Sequence, residues 1–248
     1  MWVLRALLAL IFAAAIILID LPLHLITWLI EKVKPGACTG FRHGYARFAM
    51  KGIWFLAGGR ATVIGLSNIP KDRPVLFVGN HRSIFDIILA GSLIPVPVGF
   101  VAKKELQGTP IRLIMEEIHC LFLDREDARQ GLKTILTAID YVKSGISMFI
   151  FPEGTRNKEE GKFLPFHAGS FKIATKAKAP IIPVTIVGMG DVFEDHYPRL
   201  KWAPVVIEFG EPIETADMDR NAQKELPDRV KALMEETYKK NSALIAQK

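Results

Sequence analysis

From Ala61 onward, short β-branched runs alternate with segments of helical period, and this alternation limits the possible folds more than any other feature of the chain. The runs cover residues 61–65, 74–78, 98–102, 120–123, 147–151, 181–187 and 205–209. Helical periods fall at 84–93, 110–118, 129–143 and 170–177, and a charged helix over 221–240 closes the chain with Leu226, Val230, Leu233 and Met234 on its buried side. Strand–helix alternation predicts an α/β fold with a largely parallel central sheet flanked by helices. With no internal repeat, low-complexity tract or linker, residues 61–248 read as one α/β domain.

The first 60 residues have a different character. Half of the 248 residues are apolar, above the usual share for a soluble domain, and residues 1–36 hold most of the excess. An unbroken apolar stretch covers 6–19, and a second run follows Asp20 at 21–30. Over residues 1–60 seven Lys and Arg face two Asp and Glu, leaving +5 of the whole chain's +6.

Apolar burial and attraction of bases to anionic head groups add, so this segment is expected to seat the protein on a membrane surface with anionic lipid. No interleaving of basic and aromatic residues points to nucleic acid. Asp20 and Leu21-Pro22-Leu23 do not make a small-residue cleavage site, so a removed signal peptide is not expected. The stretch 6–19 would reach about 21 Å as a helix, short of a ~30 Å hydrocarbon core. Adding Trp2 to Leu4 and a snorkelling Arg5 approaches a span, and two short helices broken at Asp20 and Pro22 and dipping into one leaflet fit as well. Residues 41–58 read as an amphipathic helix, lying at the interface or packed on the domain. The expected organisation is therefore membrane-associated helices over 1–36, an interfacial helix over 37–60 and the α/β domain over 61–248. Cys38 and Cys120 lack metal-ligand spacing and read as free thiols of a reducing compartment.

In open α/β sheets, sites form beyond the carboxyl ends of strands. Four polar clusters occupy such ends: Asn80-His81-Arg82-Ser83-Ile84-Phe85-Asp86, Lys103 with Lys104, Asp124-Arg125, and Glu153-Gly154-Thr155-Arg156. An imidazole backed by a carboxylate is a ready general base, because the carboxylate fixes the tautomer and frees the other ring nitrogen. On a helix, positions five apart differ by about 140°, so His81 must stand in the turn or at the helix entrance and fold back towards Asp86 in the second turn. Glu153 to Arg156 offer an acceptor, a flexible amide, a hydroxyl and a fork of donors, a set suited to a glycerol phosphate. Each cluster also has a plain structural reading: a helix-capping histidine, a polar turn, a salt bridge at a helix start for Arg125, and a solvated pair for Lys103 and Lys104.

Asn80-His81-x4-Asp86, Leu121-Phe122-Leu123-Asp124-Arg125, Phe151-Pro152-Glu153-Gly154-Thr155-Arg156 and Ile181-Ile182-Pro183-Val184 stand in the order and spacing of the four blocks of glycerolipid acyltransferases. Over roughly residues 55–215 the chain most resembles the 1-acylglycerol-3-phosphate acyltransferases. The resemblance implies that His81 and Asp86 are the catalytic dyad. It also implies that Lys103, Arg125, Glu153, Gly154, Thr155 and Arg156 bind the acceptor. In the second block the family often carries a Gly where Ile118-His119-Cys120 stands here. The implied reaction moves an acyl group from an acyl carrier protein or coenzyme A thioester to lysophosphatidic acid, giving phosphatidic acid at the cytoplasmic face of a membrane. No cofactor and no metal are expected, since His24, His43, His119, His167 and His196 show no convergent spacing. An acyltransferase for another lysophospholipid or for glycerol 3-phosphate, a lipid ester hydrolase, and a non-catalytic membrane lipid-binding protein are the rival functions. The absence of a Gly-x-Ser-x-Gly turn argues against Ser83 as a nucleophile.

Overall fold

A computed structural model describes residues 2–124 and 127–246. Its centre is a seven-stranded sheet built from β1 (Arg60–Ile64), β2 (Leu76–Gly79), β3 (Val98–Lys103), β4 (Leu121–Leu123), β5 (Ser147–Ile150), β6 (Ile181–Val187) and β7 (Pro204–Phe209). Their spatial order is β1-β7-β6-β2-β5-β3-β4, and every neighbouring pair is parallel except β6 with β7. The largely parallel α/β architecture is the one the strand–helix alternation predicts.

Parallel strands covered on both faces must be apolar on both, and β2, β5 and β6 are buried at every position. Alternate side chains serve opposite layers. Phe77 and Phe149 face α2 (Thr39–Leu56) and α3 (Ile84–Leu93), together with Trp54, Phe85 and Leu89. Leu76, Met148 and Ile150 face α5 (Ala128–Lys143), α6 (Ala168–Ala177) and α7 (Arg220–Ala246), together with Ile139, Phe171 and Val230. The chain runs from β2 through α3 to β3 on one side and from β5 through α6 to β6 on the other. Adjacent strands β2 and β5 therefore form a topological switch point, and their carboxyl ends frame a crevice.

The two-helix alternative for the N-terminus does not form. Trp2–Val33 is one helix, α1, with Pro22 inside it. It is held on both sides of the proline. Tyr45 Oη donates to the Ile16 carbonyl at 2.6 Å on one side, and on the other His24 Nδ1 and Thr27 Oγ1 reach Glu117 Oε1 at 2.7 and 3.2 Å. Asp20 does not break the helix because its side chain is buried on the domain-facing stripe with Ile16 and Thr27. At about 48 Å, α1 exceeds a hydrocarbon core by length and composition, yet one face of it is docked on α2 and on α4 (Arg112–Glu117).

The helix expected over 41–58 is α2, and one face of it packs on the domain. Ala46, Ala49 and Trp54 pack inward, while Phe41, Phe48 and Phe55, seven residues apart, stay exposed. In α7, Leu226, Val230 and Met234 are fully buried, but Leu233 is 41% exposed and does not join them. The buried stripe there advances by fours through Tyr238, and Leu233 lies about 100° off it.

Candidate active site

His81 lies beyond the end of β2, before Ser83, the N-cap of α3. Ser83 Oγ accepts the Phe85 amide, and Asp86, the third helical residue, accepts the Ser83 amide in return, a reciprocal capping box. Asp86 thus sits in the first turn of α3, one turn earlier than the spacing suggested. Its Oδ2 accepts from Arg82 N and Ser83 N, both at 2.7 Å, and lies 3.0 Å from His81 Nδ1. An oxygen that already receives two amide protons is the acceptor in the third bond as well, so the proton there belongs to Nδ1. In the neutral ring the lone pair is then on Nε2, which makes no hydrogen bond among the described residues. The Asp86 side chain is fully buried and that of His81 is 13% exposed. The geometry is that of a base with one nitrogen fixed and the other open.

The block after β5 holds this base in place. Glu153 Oε1 accepts the His81 amide at 3.0 Å, Oε2 accepts the Leu164 amide at 3.0 Å, and Asn157 N donates to the His81 carbonyl at 2.7 Å. The Phe151 ring stacks on the His81 imidazole, with centroids 4.0 Å apart and planes 19° from parallel. Gly79 makes room for this layer, since a Cβ there would stand 2.7 Å from the Phe149 ring. On the other side of β2, the Asn80 carboxamide exchanges two 2.8 Å bonds with the Ile186 backbone, in the manner of a strand pairing. Burial pushes the Glu153 carboxyl above its usual range, against the lowering effect of the two amides it accepts.

The other expected acceptor-binding residues are distributed unevenly. Gly154 takes φ +69°, a conformation open to glycine, and its amide closes a turn onto the Phe151 carbonyl at 3.0 Å. Thr155 and Arg156 are exposed beside it, with Arg156 Nη1 donating to Glu194 Oε1 at 3.2 Å. Lys103 is exposed at the end of β3, two strands or about 10 Å across the sheet from β2, and pairs with Glu105 at 3.1 Å. Arg125 lies outside the described residues. Among the two bases at the end of β3, Lys104 reaches the second block directly, 2.8 Å from Asp124 Oδ2. His119, where the resemblance expects a glycine nearby, adopts φ +63°, the left-handed conformation that glycine takes freely.

Several contributors carry no isolated signal. Phe151 and Asn157 adjoin the Glu153 block, so their proximity was available in the sequence but their contact with His81 was not. Glu194 comes from a stretch over 188–203 with no recognisable pattern, yet accepts the Ile84 amide at 2.9 Å on the first turn of α3.

The sequence pattern of the Acyltransferase family matches residues 60–187, the segment that carries β1 to β6 and all four polar clusters. The chain belongs to this family. Among curated proteins, the 1-acyl-sn-glycerol-3-phosphate acyltransferase of Saccharomyces cerevisiae is 29% identical over 180 residues, 71% of this chain and 59% of that protein. The enzyme of the same name from Cocos nucifera is 31% identical over 216 residues, covering 85% and 66%. A probable 1-acyl-sn-glycerol-3-phosphate acyltransferase of Mycoplasma pneumoniae is 36% identical over 142 residues, covering 54% and 52%. The chain thus spans about half to two thirds of the length of these relatives. In fold it is similar to the crystal structure of the 1-acyl-sn-glycerophosphate (LPA) acyltransferase PlsC from Thermotoga maritima, with a TM-score of 0.74 at 23% identity. That match covers 96% of this chain and 97% of the other.

Proposed function

We propose that this family member transfers an acyl group from an acyl thioester to the sn-2 hydroxyl of 1-acylglycerol 3-phosphate, producing phosphatidic acid. The observation that carries the reading is the His81 Nδ1–Asp86 Oδ2 bond at the switch point of the sheet, with Nε2 left open. Nε2 removes the hydroxyl proton as the oxygen attacks the thioester carbonyl, and Asp86 stabilises the imidazolium that forms. Collapse of the tetrahedral intermediate breaks the carbon–sulfur bond, and the departing thiolate takes the proton from Nε2. The donor is the thioester of acyl carrier protein or of coenzyme A.

In this reading Arg156 and Thr155 meet the acceptor's phosphate and glycerol, with Arg125 and Lys103 supplying further positive charge. Glu153 and Gly154 serve the acceptor indirectly, since the carboxylate and the amide that they would offer are engaged with the backbone. The exposed apolar surface of α1, continued by Phe41, Phe48 and Phe55 of α2, seats the domain on a membrane so that the site opens towards lipid. The active domain then lies on the cytoplasmic side.

The test is product analysis of purified protein given lysophosphatidic acid in vesicles with each thioester. Phosphatidic acid and free thiol should appear together, and His81→Ala should lower turnover on the order of a hundredfold or more. Free fatty acid in place of phosphatidic acid would mark a hydrolase, and near-normal turnover by the variant would refute the role of His81.

A further inference from the structure

After β6 the chain makes two short 3-10 turns, Gly190–Val192 and Glu194–His196, that fold over the first turn of α3. Three consecutive side chains fasten them there. The Phe193 ring meets Phe85 edge-on, with centroids 5.8 Å apart. Asp195 pairs with Arg82, whose Nη1 also donates to the Asn157 carbonyl at 3.1 Å and whose Nε meets Glu160 at 3.2 Å. Between them, Glu194 Oε1 accepts both the Ile84 amide at 2.9 Å and Arg156 Nη1 at 3.2 Å. The Glu194 side chain is 15% exposed and that of Arg156 55% exposed. A largely enclosed carboxylate, anchored on a helix end, thus holds a cation that is otherwise open to solvent.

Arg156 carries five N–H donors, and this is its one hydrogen bond among the described residues. An arginine on an exposed turn samples many rotamers, and its fork recognises a phosphate well only when its plane is fixed. We propose that Glu194 is a positioning residue for the acceptor. Its carboxylate, fixed by Ile84 N–H, orients the Arg156 guanidinium beside His81 and leaves the remaining donors for a phosphate monoester. The inference rests on the proposed reading of the site as one that takes a phosphorylated glycerolipid. Glu194 keeps its place when phosphate arrives, because displacing it would break the Ile84 bond and strain the Phe193 and Asp195 contacts on either side. Arg156 then bridges two anions, one built in and one brought by the substrate.

Glu194→Gln separates the charge from the cap, since the amide oxygen still accepts Ile84 N–H. In vesicle assays with lysophosphatidic acid varied, this variant should raise the acceptor KM about tenfold, the scale of one charge-assisted bond, with kcat reduced less than threefold and the thioester KM unchanged. Arg156→Lys should raise the acceptor KM as well. The double variant should be no worse than Arg156→Lys alone, because Glu194 acts through the fork that lysine lacks. Glu194→Asp, shorter by one methylene, should recover part of the loss. A fall in acceptor KM for Glu194→Gln would show a competing anion and overturn the proposal. Additive effects in the double variant would do the same, as would equal losses in kcat and in both KM values. Should the unaltered chain acylate no phosphorylated acceptor, the functional reading fails and this inference with it. Normal turnover with additive variants removes the inference alone.

Discussion

The two halves of the candidate site are built on opposite plans. Around His81 everything is fixed: one carboxylate oxygen of Asp86 serves three donors, Glu153 and Asn157 hold the residue's own amide and carbonyl, and Phe151 covers the ring. At the rim, Arg156 and Lys103 are more than half exposed, and each is tied to the described residues by a single ion pair. The contrast follows from what the proposed function asks of each half. A base works through one lone pair whose direction sets the rate, so its freedom is removed in advance. In the proposed reading a rim cation meets a hydrated head group, so it stays open to water until the ligand arrives, Arg156 with its plane set by Glu194.

If that contrast is right, the largest effect should come from the over-determined half. Asp86→Asn puts an amide where three donors converge, and turnover should fall on the order of ten-thousandfold, as it does when the orienting carboxylate of an acid–base triad is replaced. Stability should fall too, by about 1–3 kcal/mol, from the buried donors left unmatched; single-turnover kinetics and urea unfolding would separate the two losses. A variant with near-normal turnover would break the comparison at its strongest point.

Glu153→Gln probes the same half one layer out. It replaces one acceptor oxygen with a donor facing a backbone N–H, and the displaced His81 should lower kcat roughly 10- to 100-fold while the acceptor KM changes little. A rise in KM with kcat intact would return Glu153 to the acceptor-binding set. For the rim the split should reverse. Arg156→Lys is expected to raise the acceptor KM roughly tenfold with little change in kcat, whereas Lys103→Ala, which removes an exposed pair, should stay within about threefold. Initial-rate measurements over a range of acceptor concentrations distinguish these outcomes.

The smallest effect comes from a second partly buried histidine, which shows what burial does without a carboxylate. His43 Nδ1 accepts the Val98 amide at 3.2 Å and Nε2 lies 3.3 Å from His119, and burial pushes its pKa down to about 3 from 6.5. The unfolded chain takes up this proton below pH 6.5 while the folded chain refuses it. Stability is therefore expected to fall as pH drops below 6.5, by at most about 1.4 kcal/mol per pH unit from this group. His43→Gln keeps an acceptor for Val98 and should flatten the dependence of the urea midpoint on pH between 7 and 5. An unchanged slope would show that His43 does not carry that proton linkage.

Much of this protein was legible along the chain. Runs of Val, Ile and Phe fix strand positions because both faces of a parallel strand must be apolar, and the period of Ile84 to Leu93 marks α3 from end to end. The angular separation of His81 and Asp86 was enough to place the histidine at the helix entrance. The sequence is weakest where one residue has several possible partners. Glu153 has the chemistry of a ligand for hydroxyls, and which donors it meets depends on β5 lying beside β2, an arrangement that pairs residues 72 apart in the chain. Asp20 and Pro22 signal a break, and what overrides them is the docking of α1 on Tyr45 and Glu117, residues remote from that helix.

The sequence by itself determined the fold class, the element positions, and the four polar clusters at strand ends, because local periodicity and residue chemistry are written in consecutive residues. Only the tertiary structure decided that Glu153 grips His81 rather than standing open to solvent, that α1 runs unbroken, and that Glu194 holds Arg156. Those outcomes depend on strand order and on long-range hydrogen bonds, which a linear pattern does not encode.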